Sequence, residues 1–263
     1  MKALPGTLIT ETIFNVEHVS FAYEGDHVAL DQVDLSVRAG ESLVILGANG
    51  SGKSTLLKLL DGLYFPPQGT ITAFGNPLTE QALQDESVNF AFRRRVGLVF
   101  QDADVQLFSP SVLEEVAFAP LQLGLDREEV NDRVEYSLRA LGIKDLASRA
   151  PHRISGGEKR KVALASILSL QPEVWLLDEP TTGLDPRSQS WLINFIRKQN
   201  KAGKTLVTAT HDISVADLIA TRIYVFGMDH QIVATGTTEE ILGNHELLHA
   251  CNLAHYHMAK KHD

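Results

Sequence analysis

The stretch GANGSGKST, residues 47–55, limits the folds open to this chain more than any other feature. From Gly47 to Ser54 it spells G-x-x-x-x-G-K-S. Glycines let successive backbone N–H groups wrap a phosphate, the lysine neutralises its oxygens, and the serine hydroxyl can meet a Mg²⁺ ion. Such a loop needs a rigid strand behind it and a helix start ahead of it. SLVIL (42–46) is an unbroken apolar run, the mark of a strand covered on both faces. STLLKLLDG (54–62) is helical in pattern, with Gly62 as its expected C-terminal cap. Gly47, Ala48, Asn49, Gly50, Ser51, Gly52, Lys53, Ser54 and Thr55 are therefore the expected nucleotide contacts.

Around this loop the chain reads as mostly parallel α/β. IFNVEHVSFAY (13–23) alternates in part, and DQVDLSVRAG (31–40) alternates cleanly through Val33, Leu35 and Val37. These are expected to be antiparallel strands with one wet face. VWLLD (174–178) and TLVTAT (205–210) read as further buried strands, each followed by a loop and a helix. Residues 104–154 carry no strand pattern. There, DREEVNDRVEYSLRALG places Val130, Val134, Leu138 and Leu141 on one helical face, with Asp126 and Glu129 as a start box and Gly142 as the end. A helical insert in the sheet domain is expected.

The charge balance is 24 − 33 = −9, which does not suit a nucleic-acid partner. The triplet Arg93-Arg94-Arg95 reads as a solvated basic rim. One cysteine, Cys251, leaves no internal disulfide and fits a reducing compartment. The opening MKALPGTLITET is not expected to act as a secretory signal, and no apolar run approaches the roughly 20 residues of a membrane span.

VWLLDEP ends a buried run in two carboxylates. Asp178 at the strand end is placed for the Mg²⁺ shell. Glu179, one step further out, is placed to orient or deprotonate an attacking water. PHRISGGEKRKVALASIL (151–168) adds a second glycine-bearing helix start, again suited to phosphate. Two cradles on one chain need an explanation.

Taken in order, GANGSGKST, VFQD, ISGGEKRKVALA, VWLLDEPTTGLDP and TATHD resemble the motif series of the ATPase subunits of ATP-binding-cassette (ABC) transporters, over about residues 14–236. The resemblance implies an α/β phosphate-loop ATPase with a parallel-sheet core, an antiparallel β subdomain and a helical insert. It implies ATP and Mg²⁺ as ligands and a head-to-tail pair of ATPase subunits. Ser155, Gly156, Gly157 and Glu158 would then serve the partner's ATP, which accounts for the second cradle. It further implies Tyr23 on adenine, Gln101 at Mg²⁺ and the water, His211 on the γ-phosphate, and Asp185 at the dimer seam. Ile154 and Glu158 depart from the family's usual Leu and Gln.

The stretch DADVQLFSPSVLEEVAFAPLQLGL (102–125) resembles the importers of the energy-coupling-factor group, with a short helix around 105–108 where a transmembrane coupling subunit docks. The residues after Gly236 read as a short appendage, and five of the ten histidines lie there: His245, His249, His255, His257 and His262. Imidazole suits Ni²⁺ and Co²⁺, and the NLAH ending resembles the group's cobalt and nickel branch. The expected organisation is a leader (1–12), a first core part (13–103), the helical subdomain (104–154), the signature helix with the second core part (155–236), and the tail (237–263). The expected function is an ATPase subunit on the cytoplasmic face of the membrane, powering cobalt or nickel import beside coupling and substrate-capture subunits. A vitamin-type coupling-factor ATPase is the alternative. A soluble ABC ATPase of DNA repair or translation is remoter, since the chain has no long heptad run and no second phosphate loop, and a small-molecule P-loop kinase would leave ISGGEKRKV and TATHD without work.

Overall fold

In the computed structural model, which describes residues 11–25 and 27–254, two sheets share one chain. β1 (Thr12–Tyr23) and β2 (His27–Arg38) pair antiparallel, and Val33, Leu35 and Val37 all point inward, as their alternation requires. The imperfect alternation of β1 has a physical cause. His18 and Gln32 take positive φ (51° and 48°), and the register slips between Val16 and Phe21. β3 (Ser42–Leu46) follows and is buried throughout, then α1 (Lys53–Leu60). β4 (Gln68–Ala73) and β5 (Asn76–Pro77) complete the antiparallel sheet in the order β2-β1-β4-β5.

The helices α2 (Glu80–Gln84) and α3 (Glu86–Arg95) lead to β6 (Val96–Val99). The three arginines ending α3 do not form one solvated rim. Arg93 pairs with Asp61 at 3.0 Å, while Arg95 holds Glu173 through two 2.8 Å hydrogen bonds and stacks on Phe74; Arg94 is exposed.

Next come α4 (Ala103–Gln106), α5 (Val112–Gln122) and α6 (Arg127–Ala140), then α7 (Gly156–Leu170). Val130, Val134, Leu138 and Leu141 are buried against α7 in one apolar cluster. Asp126 caps α6 by accepting from the Glu129 N–H, but Glu129 turns to Arg133 (2.6 Å) instead of completing the box. The short helix α4 stands two residues ahead of its expected place. Phe108 lies past its end, where the buried Glu115 carboxylate accepts the N–H groups of Phe108 and Ser109. That carboxylate ends the helix early by satisfying the backbone itself.

β7 (Val174–Asp178), α8 (Pro186–Lys201), β8 (Thr205–Thr210), α9 (Ile213–Ile219), β9 (Arg222–Phe226) and β10 (Ile232–Gly236) finish a six-stranded sheet, order β10-β9-β3-β8-β7-β6. All its pairings are parallel except β10 with β9. The sheet separates two cores. Val44, Leu46, Trp175 and Leu177 face one that contains α7, and Leu43, Ile45, Val174 and Leu176 face the other, against α1. That explains why these strands read as continuous apolar runs.

The described part of the segment after Gly236, residues 237–254, packs onto the fold. α10 (Thr238–Leu242) and α11 (His245–Ala250) bring Ile241, Leu248 and Cys251 into the α7-side core. His245 and His249 ride on α11; His255, His257 and His262 lie outside the described residues, as does most of the leader. Because Leu248 is 3% exposed, Leu248→Ala should cost about 2–4 kcal/mol of stability, read from the shift of a urea unfolding curve. A change within error would show that the last helix contributes nothing to the core.

Candidate nucleotide site

Parallel pairing brings three strand ends to one edge. Leu46 stands opposite Thr210, and Asp178 opposite Ala209. The loops that follow these ends therefore converge, and two of them are pinned: Gly47 N donates to Thr210 O (3.2 Å), and Glu179 N to Ala209 O (2.9 Å).

Residues 47–52 form a tight loop in which the space available requires glycine at 47 and 52. A Cβ on Gly47 would stand 2.6 Å from Ser51 Oγ and 2.9 Å from Phe226 Cβ. Gly52, at φ 111°, passes so close to Ala29 that a Cβ would meet its carbonyl oxygen at 2.2 Å. Gly50 also takes positive φ (84°) but faces open space. The loop closes on Lys53, whose Nζ donates to Gly47 O (2.8 Å) and Ala48 O (2.9 Å) and stands 3.7 Å from Glu179 Oε1. Burial lowers the Lys53 pKa, while Glu179 and then Asp178 pull it back up. Ser51 Oγ is buried without a hydrogen-bond partner among the described residues, which leaves a spare hydroxyl in the cradle. Asn49 is exposed at its rim.

Ser54 Oγ donates to Asp178 Oδ1 at 2.9 Å. Burial raises the Asp178 pKa and the Ser54 hydrogen bond opposes it. Hydroxyl and carboxylate oxygens already side by side are the donor set a hard divalent cation prefers, so these two residues fit Mg²⁺. Gln101 lies two residues past the end of β6, the strand that pairs with β7; its side chain is exposed and makes no hydrogen bond among the described residues.

Glu179 is 3% exposed and holds φ 42°, a left-handed conformation that a glutamate adopts only when its surroundings impose it. Its Oε2 accepts from Thr182 Oγ1 (3.2 Å) and Thr210 Oγ1 (3.3 Å), and its Oε1 from His211 Nδ1 (2.8 Å). The two threonines were not singled out in the sequence; each stands next to a residue that was, or close by, but their pairing is visible only in three dimensions.

Tyr23 lines a cleft of about 290 Å³ with His27, Val28 and residues of the phosphate loop. Its hydroxyl shares a 3.1 Å hydrogen bond with Thr55, and its ring stands edge-on to Phe21 and Tyr64.

The second cradle makes no hydrogen bond to the first. Ser155 caps α7, accepting from Glu158 N, and the Glu158 carboxylate turns back onto Ser155 N (2.7 Å) and Oγ (2.8 Å). Those bonds hold the Glu158 pKa below its ordinary value. Asp185 caps α8 through Arg187 N, Ser188 N and Ser188 Oγ. Among the described residues no three His, Cys, Asp or Glu side chains stand together as a metal cluster.

Strand ends, closed glycine loop and paired carboxylates define a phosphate-loop ATPase. The chain belongs to the ABC transporter family, whose model matches residues 30–182. It is similar to a putative ABC transporter ATP-binding protein of Caldanaerobacter subterraneus subsp. tengcongensis, 50% identical over 92% of this chain and 99% of that protein. The nickel import ATP-binding protein NikO of Rhodobacter capsulatus is 47% identical over 91% of this chain and 95% of its own. The energy-coupling factor transporter ATP-binding protein EcfA of Methanocaldococcus jannaschii is 39% identical, covering 92% and 85%. Among solved structures, CbiO1 of Clostridium perfringens, part of the complex CbiONQ, superposes with a TM-score of 0.77 at 33% identity, covering 92% and 95%. An ATP-binding cassette solved as a dimer after hydrolysis, with ADP and Pi, also gives 0.77 at 28% identity, covering 86% and 99%. The chain is thus an ATP-binding, ATP-hydrolysing subunit of an ABC transporter of the energy-coupling-factor type.

The glycine geometry makes a direct comparison. Gly50→Ala should cost about 1–2 kcal/mol, the strain of a left-handed residue alone. Gly52→Ala adds a backbone clash and should both lose ATP binding and unfold at markedly lower urea. Equal effects of the two changes would remove the steric account.

Proposed function

We propose that this chain is one of two ATPase subunits of a cobalt or nickel importer, peripheral on the cytoplasmic face and coupled to a transmembrane subunit and a substrate-capture subunit. The observation that carries the pairing is the state of Gly156 and Gly157. Neither takes positive φ, and a Cβ on either would meet nothing within 4 Å. A helical glycine costs about 0.5–1 kcal/mol relative to alanine, and nothing among the described residues requires these two. A surface approaching from outside does. No helix among the described residues is long and apolar enough to cross a membrane, so contact with the bilayer would pass through partners. An acidic chain of charge −9 argues against nucleic acid.

In this reading Tyr23 stacks on adenine and residues 47–55 hold the triphosphate, with Lys53 leaving its own loop carbonyls for the β and γ oxygens. Ser54, Asp178 and Gln101 hold Mg²⁺, which when bound neutralises phosphate charge. Glu179 accepts the proton of a water whose oxygen attacks the γ-phosphorus, the bond to the β,γ-bridging oxygen breaks, and ADP departs. His211 bonds the γ-phosphate and, through Nδ1, orients Glu179. Ser155, Gly156, Gly157 and Glu158 close over the partner's ATP, and Asp185 sits at the seam.

The metal assignment leans on the likeness to NikO, a nickel import ATP-binding protein. The likeness to EcfA, an energy-coupling factor transporter ATP-binding protein whose name gives no metal, leaves room for the second reading, a vitamin-type coupling module. Ni²⁺ and Co²⁺ uptake into vesicles carrying the subunit with its copurified membrane partners separates the two. For the ATPase itself, Glu179→Gln should bind ATP, accumulate as a dimer on size exclusion, and lose about 10²–10⁴-fold in turnover. Near-normal hydrolysis would overturn the assignment.

A further inference from the structure

Arg160 lies on α7, five residues past the Ser155 cap, and its side chain is used in an unexpected direction. Nη1 donates to Phe100 O at 2.6 Å and Nη2 to Gln101 O. The residue is 6% exposed, and among the described residues no carboxylate stands within ion-pair distance of it. Burial lowers its pKa; the charges of Asp102 and Asp178 oppose that. A buried guanidinium without an ion pair is costly, and a neutral side chain would fill the space at less expense. What arginine adds is a planar fork that fixes two carbonyls at once.

The same loop is tied a second time. Gln106 Oε1 accepts the Phe100 N–H (3.2 Å), while its Nε2 donates to Ala163 O (3.3 Å) and Ser166 Oγ (3.4 Å), both on α7. Lys159 pairs with Asp104 at the edge of the contact. The Phe100 peptide is therefore linked to α7 through both its N–H and its C=O, and Gln101 through its C=O. Gln101's own side chain is exposed and makes no hydrogen bond among the described residues.

We infer that Arg160 is a positioning residue that transmits engagement of α7 by the partner's ATP to Gln101 in the chain's own site, so that the two sites fire together. The inference rests on the paired reading above. One end of α7 would meet the partner's γ-phosphate; one turn further on, Arg160 grips the backbone of the residue expected at this chain's Mg²⁺ and water. A rigid helix passes a displacement of its first turn directly to that grip.

The test uses the full chain with Glu179→Gln, which holds ATP without turnover, and reads amide hydrogen exchange over residues 100–108 with and without ATP. Dimer formation is followed separately by sedimentation. With Arg160 intact, ATP-driven pairing should slow exchange in this loop by about tenfold or more. In Arg160→Gln the dimer should still form, but the slowing should vanish. With Glu179 restored, Arg160→Gln should lower kcat about tenfold, leave KM within about twofold, and bring the Hill coefficient for ATP close to 1. Arg160→Lys, which keeps the charge and loses the fork, should behave alike. Gln106→Leu, a milder change, should show the same pattern at smaller size and serves if Arg160→Gln does not fold. A dimer whose loop slows normally without Arg160 overturns the relay alone. If Glu179→Gln with Arg160 intact stays monomeric in ATP, the pairing and the relay fall together.

Discussion

A buried ammonium group organises this protein's working edge. Lys53 is 5% exposed, and it is satisfied by two carbonyls of its own loop and by Glu179. A lysine left unpaired at that depth would cost several kcal/mol or give up its proton. The loop must therefore curl tightly enough to present Gly47 O and Ala48 O to it. That curl in turn demands the glycines at 47 and 52, and a fully buried strand to anchor the start. The parallel sheet supplies Thr210 and Glu179 from neighbouring strand ends. Each requirement follows from the one before it.

The same chain of requirements explains what could be read in advance. The loop, the buried strands β3, β7 and β8, and the apolar face of α6 announce themselves because each has one dominant local cause: glycine sterics, burial on both faces, or helical period. Features set by distant partners did not. The bulge in β1 depends on His18 and Gln32 at positive φ in paired strands. The early end of α4 depends on Glu115, which no pattern ties to Phe108. The docking of α11 depends on Leu248 and Cys251 finding a core built by residues far earlier in the chain. In the site, the residues expected from Gly47 to Thr55, with Asp178, Glu179 and His211, are brought together. Thr182, Thr210 and Arg160 were silent because their role lies in which atom they bond.

Glu158 shows how a local contact changes the meaning of a departure. A carboxylate in place of an amide suggests added negative charge where a partner's triphosphate would come. Its oxygens instead accept the N–H and hydroxyl of Ser155, closing a capping box at the start of α7. The charge is thereby spent on the helix's own unsatisfied donors, where the helix dipole favours it. Gly156 and Gly157 keep the approach open above it.

The buried charges of the edge are close to balanced: Lys53 and Arg160 against Asp178 and Glu179. Lys53 leans on Glu179, and Arg160 lies within the influence of Asp178. On the proposed reading a triphosphate disturbs both halves. It draws Lys53 away from Glu179 Oε1, leaving that oxygen to His211 alone, while Thr182 and Thr210 keep Oε2 fixed. A carboxylate freed of the ammonium but still hydrogen-bonded at both oxygens would keep its orientation toward one water. Substrate binding would then remove the restraint on its own base, and a site built this way gains hydrolytic geometry only when it is filled.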